Sequence, residues 1–276
     1  MPELPEVEIT RRGLLPLLNQ TVSQVVIRNA SMRWPIPLHL PHTLNSAILK
    51  ALSRRAKYIL ATFELPDLTR GTLLLHLGMS GRISLLDRNY PPEKHDHFDI
   101  AFNNGSVLRL RDPRRFGAVL WAEDAAQHAL IAPLGPEPLS ETFDAKYLKN
   151  ALKTKSCAIK IAIMDSHLVV GVGNIYASES LFRAGIHPQT PAKDLTVLKC
   201  QKLVDEIKAT LNDALSAGGS SLRDFFGADS NPGYFQQDHT VYGREAEPCR
   251  VCQQPILNIR LGSRSTFFCK RCQPLA

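Results

Sequence analysis

The sequence predicts an α+β protein in which a strand-rich N-terminal half precedes a helical region and a small metal-binding hairpin. Apolar runs of strand length alternate with turn signals up to about Trp121, helical spacing follows a proline-rich stretch, and two Cys-x-x-Cys pairs stand near the end. At 276 residues, the chain is long for one core. Its length therefore favours two domains.

Five apolar runs in the first half have the length and composition of β-strands. They are VSQVVIRN, YILATFEL, TLLLHLGM, HFDIAFNNGSVLRL and GAVLW. In the fourth run, DIAF and VLRL flank Asn103, Asn104 and Gly105. Turn-forming residues between two short apolar segments predict a β-hairpin.

Two stretches have helical spacing. PEVEITRRGLLPLL places apolar side chains three and four apart with acidic residues at its start, and it predicts a helix that begins almost at the N-terminus. IAPLGPEPLSETF carries three prolines and predicts the interdomain hinge. A second helix is predicted beyond it, ending at Gly218 and Gly219. Its apolar residues recur every fourth position, at Leu203, Ile207, Leu211 and Leu215.

The charge balance favours a polyanionic partner. Lys and Arg number 33 against 26 Asp and Glu, a net charge of +7. Such an excess promotes binding to nucleic acid through counterion release. More than half of it lies between Thr240 and Ala276, where six Lys or Arg stand against two Glu, a net of +4.

No apolar stretch approaches the ~20 residues that a membrane-spanning helix requires. The first dozen residues carry five charged side chains where a secretory signal would have an apolar middle. We therefore expect a cytosolic protein. In a reducing compartment, paired cysteines predict metal ligands rather than disulfides.

Four cysteines have the spacing of a closed structural zinc site, with sixteen residues between two Cys-x-x-Cys pairs. They are Cys249, Cys252, Cys269 and Cys272. Between the pairs, PILNIRL and STFFC predict two strands joined by a turn at Gly262, Ser263 and Arg264. Because so small a hairpin has too little core to fold alone, we expect one zinc ion to supply folding free energy and no chemistry.

The N-terminus offers a candidate nucleophile. Met1 precedes the small residue Pro2, which permits removal of the initiator methionine and leaves a proline secondary amine. An α-amino group has a pKa near 8, against about 10.4 for lysine, so more of it is free base at neutral pH. Such an amine can attack a sugar's anomeric carbon and form an iminium. The alternative is an ordinary Met-Pro start before an acidic first helical turn.

Motifs along nearly the whole chain resemble those of the formamidopyrimidine-DNA glycosylase family of bacterial repair enzymes. PELPEVE at residues 2–8 matches the N-terminal signature, and further motifs follow in the family's order. They are RRAKY, HLGMSG, EKHDH, DPRRFG, LGPEPL, VVGVGNIYASE, GYF, YGR and the zinc module. The resemblance implies an N-terminal β-sandwich domain with an N-terminal helix (1–130), a hinge (131–145), a helix-two-turns-helix domain (146–235) and a zinc-binding β-hairpin finger (240–276).

The resemblance further implies an enzyme that removes oxidised purines, 8-oxoguanine and formamidopyrimidines, from duplex DNA and cleaves the strand by β- and δ-elimination. Pro2 is the implied nucleophile, Glu3 the acid that assists opening of the sugar ring, and Glu6 a residue that arranges this centre. Lys57 is the implied proton donor of the first elimination, and Arg264 serves the second. Without the resemblance, Lys57 is an ordinary surface charge.

The target base lies inside a stacked duplex, so the enzyme must flip it out and fill the gap. Met79, Arg114 and Phe116 match the family's wedge residues, which combine an apolar finger, a planar cation and an aromatic ring. Without the resemblance, Met79 and Phe116 are explained equally well as residues of the hydrophobic core.

Further DNA contacts are implied in both halves of the chain. The Gly-rich turn in VVGVGNIYASESLF runs into a helix, which presents backbone N–H groups to a phosphate. The segment from Ser220 to Tyr234 resembles the loop that closes over the everted base. Besides Arg114, the implied DNA-contacting residues are His95, Lys155, Lys160, Asn174 and Tyr176.

We expect a monomer that acts on double-stranded DNA containing oxidised bases or abasic sites and that needs no membrane. Two other functions remain open. An endonuclease VIII-like glycosylase prefers oxidised pyrimidines, and such enzymes tend to carry Gly where Leu4 stands here. A zinc-dependent protein can also bind damaged DNA without cutting it.

Overall fold

A computed structural model describes residues 2–218 and 239–275 of the chain. Three of the expectations lie outside these ranges: Gly219 at the end of the last helix, the segment from Ser220 to Tyr234, and the Gly-Tyr-Phe motif. Within the described ranges, no helix has both the length and the apolar character needed to cross a bilayer.

The described residues fall into two compact units, the first formed by 2–132 with 217–218 and the second by 133–216 with 239–275. In the first unit, eight strands form two antiparallel sheets with the orders β1-β6-β7-β5 and β2-β3-β4-β8. The strands are β1 (Val22–Ile27), β2 (Ile48–Arg55), β3 (Tyr58–Glu64), β4 (Arg70–His76), β5 (Arg82–Asp87), β6 (Asp96–Phe102), β7 (Ser106–Arg111) and β8 (Ala118–Ala122).

The two sheets bury one common core. In β3, Ile59, Ala61 and Phe63 are buried while the residues between them are partly exposed, which is the alternation of a strand with one core face. Phe98 and Ile100 of β6, in the other sheet, belong to the same apolar cluster. The sheets therefore form the β-sandwich that the family resemblance implies.

Two helices accompany the sandwich, α1 (Leu4–Gly13) and α2 (Leu40–Thr43). The first confirms the predicted N-terminal helix but ends sooner, and a short 3-10 turn follows at Leu15–Leu17. Pro16 explains the early end, because it has no N–H to continue the helical hydrogen bonds. The hairpin predicted around Gly105 is present as β6 and β7.

The second unit is helical, as the change in spacing predicts. Its helices are α3 (Ala145–Leu152), α4 (Ile159–Ile163), α5 (Asn174–Ala184) and α6 (Val197–Ser216). In α6, Leu203, Ile207 and Leu211 are buried, whereas Leu215 is partly exposed and Ala214 takes its place in the core. A strict four-residue spacing drifts around a helix of 3.6 residues per turn, so the fourth member leaves the buried face.

The second unit also carries the predicted hairpin of β9 (Leu257–Leu261) and β10 (Arg264–Phe268). Gly262 and Ser263 both have a positive φ, 51° and 65°, and form a two-residue turn between them. Positive φ at both central residues is the backbone of a tight type I′ hairpin turn. Arg264 is therefore the first residue of β10, paired with Leu261, and not part of the turn.

Candidate active site and nucleic-acid interface

The start of α1 holds two buried acids beside Pro2. Glu3 and Glu6 are each 2% exposed. The backbone N–H of Glu3 donates to Oε2 of Glu6 at 2.8 Å, and the two residues form a reciprocal capping box. Because the bonded N–H belongs to the peptide that follows Pro2, Glu6 fixes the direction in which the chain leaves Pro2.

Lys57 lies in the tight turn between β2 and β3. The turn is closed by the pairing of Arg55 with Tyr58. Ala56 has φ 54° and is buried, a left-handed conformation that residues other than glycine rarely adopt. Arg54 donates from a guanidinium N–H to the Ala56 carbonyl at 2.9 Å and helps to hold this backbone. Lys57, partly buried, is thus presented from a constrained turn.

His76, at the end of β4, is a neutral imidazole beside positive charges. Burial, followed by the charges of Lys57 and Arg33, lowers the pKa of His76 to about 4. Its Nδ1 lies 3.0 Å from the backbone N–H of Gly78 and accepts that hydrogen bond, so the ring proton is assigned to Nε2. The sequence analysis assigned no role to His76, although it opens the HLGMSG motif.

Two neighbouring loops carry the predicted wedge residues, and we call residues 77–81 and 113–117 the wedge loops. Phe116 is 41% exposed, which excludes the core alternative for this ring, and Met79 is partly exposed. The guanidinium carbon of Arg114 lies 4.7 Å from the centroid of the Phe116 ring, a cation–π contact. A Cβ placed on Gly78 would lie 2.4 Å from the carbonyl carbon of Phe116, so the two loops touch backbone to backbone.

His95 lies in the loop that precedes β6. Its carbonyl oxygen accepts the backbone N–H of Asp112 at 3.0 Å. Its ring centroid lies 6.3 Å from that of His97 in an edge-on arrangement. The loop of His95 is therefore attached, through Asp112, to one of the wedge loops.

In the second unit, Asn174 opens α5 after the Gly-rich turn, with Gly173 as the N-cap. Its Oδ1 accepts from Nζ of Lys160 at 2.6 Å, and its Nδ2 donates to the Ser265 carbonyl at 3.0 Å. Nδ2 also lies 3.4 Å from the hydroxyl of Tyr242. Asn174 thus joins the helix N-terminus to strand β10.

Lys160 and Tyr176 are buried in the second unit. Lys160 is 1% exposed, and besides Asn174 its Nζ donates to the Ser265 carbonyl at 3.0 Å and to Oγ1 of Thr266 at 2.7 Å. Tyr176 is 0% exposed and belongs to the helical core. The expectation that these two residues contact DNA stays a prediction, and the burial of both side chains favours an indirect role in it.

Lys155 and Arg264 are accessible cations of the second unit. Nζ of Lys155 lies 3.1 Å from Oδ2 of Asp165, with both side chains about one-third exposed at 34% and 33%. Such an open ion pair stabilises little and can be exchanged for a phosphate. Arg264 is exposed at the start of β10, beside a turn in which Gly262 lies against Ile161.

The four paired cysteines converge on one point, with all four Sγ atoms within 4.8 Å of one another. Sγ of Cys249 lies 3.8 Å from that of Cys272, and Sγ of Cys252 lies 3.4 Å from that of Cys269. A Zn–S distance of about 2.3 Å places tetrahedral sulfur atoms about 3.8 Å apart, so the cluster fits zinc. Burial raises the pKa of Cys269 and Cys272, so four thiolates require a cation to balance them.

Three family profiles match along the chain. The formamidopyrimidine-DNA glycosylase N-terminal domain matches residues 1–119, the formamidopyrimidine-DNA glycosylase H2TH domain residues 134–226, and the zinc finger found in FPG and IleRS residues 246–275. A formamidopyrimidine-DNA glycosylase from Methylobacillus flagellatus is 65% identical over 274 residues, 99% of this chain and 96% of that protein. The chain belongs to the formamidopyrimidine-DNA glycosylase family.

Solved structures of formamidopyrimidine-DNA glycosylases share the fold. The Thermus thermophilus enzyme matches with a TM-score of 0.87 and 36% identity, covering 100% of both chains. A Lactococcus lactis variant, in complex with DNA containing Fapy-dG, matches with a TM-score of 0.90 and 33% identity, covering 99% of this chain and 100% of that one. The predicted fold and the predicted family are therefore confirmed, and so is the zinc finger.

Sequence reasoning did not single out Glu179, which lies in α5. Its buried carboxylate accepts three backbone N–H groups, from Thr240, Val241 and Tyr242, each at 2.9 Å. The bonds tie the segment that leads into the zinc finger to α5. The only sequence signal for this role is the position of Glu179 at the end of the VVGVGNIYASE motif.

Proposed function

We propose that the chain is a bifunctional DNA glycosylase and abasic-site lyase that excises 8-oxoguanine and formamidopyrimidines from duplex DNA. The observation that carries the proposal is the start of α1, where Glu6 pins the peptide after Pro2 and a buried carboxyl group of Glu3 stands next in the chain. An amine and an acid at adjacent positions supply a nucleophile and a proton. The relatives named above support oxidised purines over the oxidised pyrimidines of endonuclease VIII.

Base excision begins once removal of Met1 frees the Pro2 nitrogen. The nitrogen lone pair bonds to C1′ of the damaged nucleotide as the bond from C1′ to the base breaks. The nitrogen releases its own proton to the departing base, Glu3 gives a proton to O4′ as the C1′–O4′ bond breaks, and an iminium between the Pro2 nitrogen and C1′ remains. Glu6 acts by holding the direction of the chain at Pro2.

Strand cleavage follows from the iminium, which acidifies the protons on C2′. Lys57 is the proton donor of the first elimination, which releases the 3′ phosphate. Arg264 serves the second elimination, which releases the 5′ phosphate, because an exposed guanidinium matches a phosphate leaving group. A rigid presentation suits both roles: Lys57 stands in a constrained turn and Arg264 on a hairpin attached to the zinc site.

The wedge loops fill the space that the everted base leaves. Met79 enters the base stack, and Arg114 and Phe116 meet the orphaned partner base. The cation–π contact between Arg114 and Phe116 places a planar donor beside a planar apolar surface before DNA arrives. His95, in the adjacent loop, contacts the same stretch of DNA.

The second unit binds the sugar–phosphate backbone of the lesion strand. The N-terminus of α5 and the side chain of Asn174 offer hydrogen-bond donors to phosphate. Lys155 adds an exchangeable cation. Lys160 orients Asn174 from below the surface, and the contribution of Tyr176 is restricted to its backbone.

Zinc, when bound, closes the finger as a structural ion, and the four cysteine ligands leave no position for chemistry. We place the enzyme in the bacterial cytosol, as a monomer that meets the nucleoid DNA directly. We propose that the chain consists of an N-terminal domain (1–130), a hinge (131–145), a helix-two-turns-helix domain (146–235) and a zinc finger (240–276).

Borohydride trapping tests the proposed function. Protein lacking Met1 is incubated with a duplex carrying 8-oxoguanine opposite cytosine, and we expect a covalent complex and strand scission. Pro2→Gly should slow trapping strongly, and an equal rate in that variant would contradict the mechanism. Tight binding without scission would favour the non-catalytic alternative. Faster excision of thymine glycol than of 8-oxoguanine would favour the endonuclease VIII alternative.

A further inference from the structure

Asp112 is a fully buried acid at the centre of the wedge loops. Its Oδ1 accepts the hydroxyl of Ser80 at 2.7 Å and the backbone N–H of Arg114 at 3.3 Å. Its Oδ2 accepts the backbone N–H of Gly117 at 2.8 Å. Ser80 Oγ in turn accepts the same Arg114 N–H at 3.2 Å. One carboxylate therefore bonds directly to both wedge loops.

The backbone of Asp112 reaches a third loop. Its N–H donates to the His95 carbonyl at 3.0 Å. Its carbonyl accepts from Arg115 N–H at 3.2 Å and lies 2.9 Å from Nε2 of His97. The segments carrying all four predicted DNA-facing residues of the first unit are thus bonded to one amino acid.

The loop after Asp112 depends on such bonds. Arg115 has φ 56°, a left-handed backbone that is strained for an arginine and persists only where surrounding contacts impose it. At Gly117, an added Cβ would lie 2.7 Å from the His76 carbonyl oxygen and 3.1 Å from Oδ2 of Asp112. The backbone is therefore packed directly against the carboxylate, and its path changes if the carboxylate changes.

We propose that Asp112 is a positioning residue for base eversion, which locks the two wedge loops and the His95 loop together so that Met79, Arg114 and Phe116 enter the duplex as one rigid body. The inference rests on the proposed function. It adds a residue that touches neither the base nor the sugar and acts only by fixing the loops.

Asparagine is the discriminating substitution. A carboxylate presents acceptors on both oxygens, whereas the Nδ2 group of asparagine is a donor. In Asp112→Asn, that donor must face either the Gly117 N–H or the Ser80 hydroxyl. In the first orientation the Nδ2 donor faces the N–H donor of Gly117. In the second orientation the Ser80 hydroxyl loses the oxygen to which it donates. One tie between the loops is weakened in either case.

The experiment compares single-turnover excision by the zinc-loaded protein, complete except for Met1, on two duplexes. One carries 8-oxoguanine opposite cytosine, and the other carries it opposite a tetrahydrofuran abasic analogue, which has no partner base for the wedge to meet. Losing a buried hydrogen bond to a charged group should slow excision from the first duplex by about tenfold in Asp112→Asn. The second duplex should lose less than about threefold, because eversion there depends less on the wedge.

Ser80→Ala keeps the acid and removes one bridge, so it should show the same pattern with a smaller loss. Asp144→Asn, at the N-cap of α3 in the second unit, is the matched control and should leave the ratio of the two rates unchanged. Equal losses on both duplexes, or no loss on either, would overturn the inference. A wild-type protein that excises from neither duplex would overturn the proposed function and, with it, this inference.

Discussion

Oε2 of Glu6 accepts the backbone N–H of Glu3 at 2.8 Å, and both side chains are 2% exposed. The bond belongs to the peptide that joins Glu3 to Pro2. Glu6 therefore acts on Pro2, four residues earlier in the chain, through the peptide group that joins Pro2 to Glu3. The hydrogen bond that caps the helix also fixes the direction of Pro2. A variant that loses the cap should therefore orient the Pro2 amine less well.

Glu6→Ala should slow borohydride trapping by roughly fivefold, because the loss of a cap costs about 1 kcal/mol and frees the direction of Pro2. Glu6→Gln keeps a carbonyl acceptor and should recover part of the rate. Glu8→Gln is the control on the same helix, since Glu8 bonds Arg11 and Arg12 instead of the backbone of residue 3. Trapping by Glu6→Ala at the wild-type rate would show that Pro2 needs no such support.

The neutral His76 predicts an acid-sensitive first unit. Because its folded pKa of about 4 lies below the usual value of 6.5, its contribution to stability is fully present above pH 6.5 and is lost as the pH falls towards 4. Between pH 7 and pH 5, the wild type should lose about 2 kcal/mol more unfolding free energy than His76→Gln.

Tryptophan fluorescence during urea unfolding measures this difference, because Trp34 and Trp121, the two tryptophans of the chain, both lie in the first unit. Parallel pH profiles for the wild type and His76→Gln would mean that the imidazole is not held neutral.

Cys269→Ser should abolish zinc binding and lower DNA affinity by at least about tenfold, because the finger has too little core to fold without its metal. Metal content and binding to a duplex containing an abasic analogue measure both effects, and tryptophan fluorescence should show an intact first unit. Cys157→Ser is the control, since Cys157 is exposed and lies outside the cluster. Retained zinc with normal affinity in Cys269→Ser would contradict the assignment.

Lys160→Met should destabilise the second unit by about 3 kcal/mol, since it removes hydrogen bonds from three acceptors at Asn174, Ser265 and Thr266. It should leave the slope of log affinity against log salt unchanged, because this ammonium does not meet a phosphate. Lys155→Met should reduce that slope by about 1 with little effect on stability. A reduced slope in Lys160→Met at normal stability would contradict the buried assignment.

The sandwich could be predicted wherever a strand keeps its alternation, as β3 does at Ile59, Ala61 and Phe63. Strand β2 was missed because a register shift between Leu49 and Ala51 places the buried residues Leu49 and Leu52 three apart, a helical spacing. Strand β5, also missed, buries the neighbours Ile83 and Ser84 and so breaks alternation as well.

The candidate site divides in the same way. Pro2, Glu3 and Glu6 lie within five consecutive residues of the chain, so a local sequence motif is enough to predict that they lie together. Asp112 and Glu179 owe their roles to partners 32 and 61 to 63 residues away, which the sequence does not place. The burial of Lys160 and Tyr176 was missed for the same reason, because only the packing of other helices and of β10 decides whether a polar residue in a short helix faces outward.

The whole mechanism depends on which nitrogen attacks the sugar, and mass spectrometry of the borohydride-trapped complex identifies that nitrogen. We expect that fully active protein begins at Pro2 and that, after digestion, the reduced sugar is attached to the nitrogen of Pro2. Full activity in protein that retains Met1, or a sugar attached to a lysine such as Lys57, would contradict it.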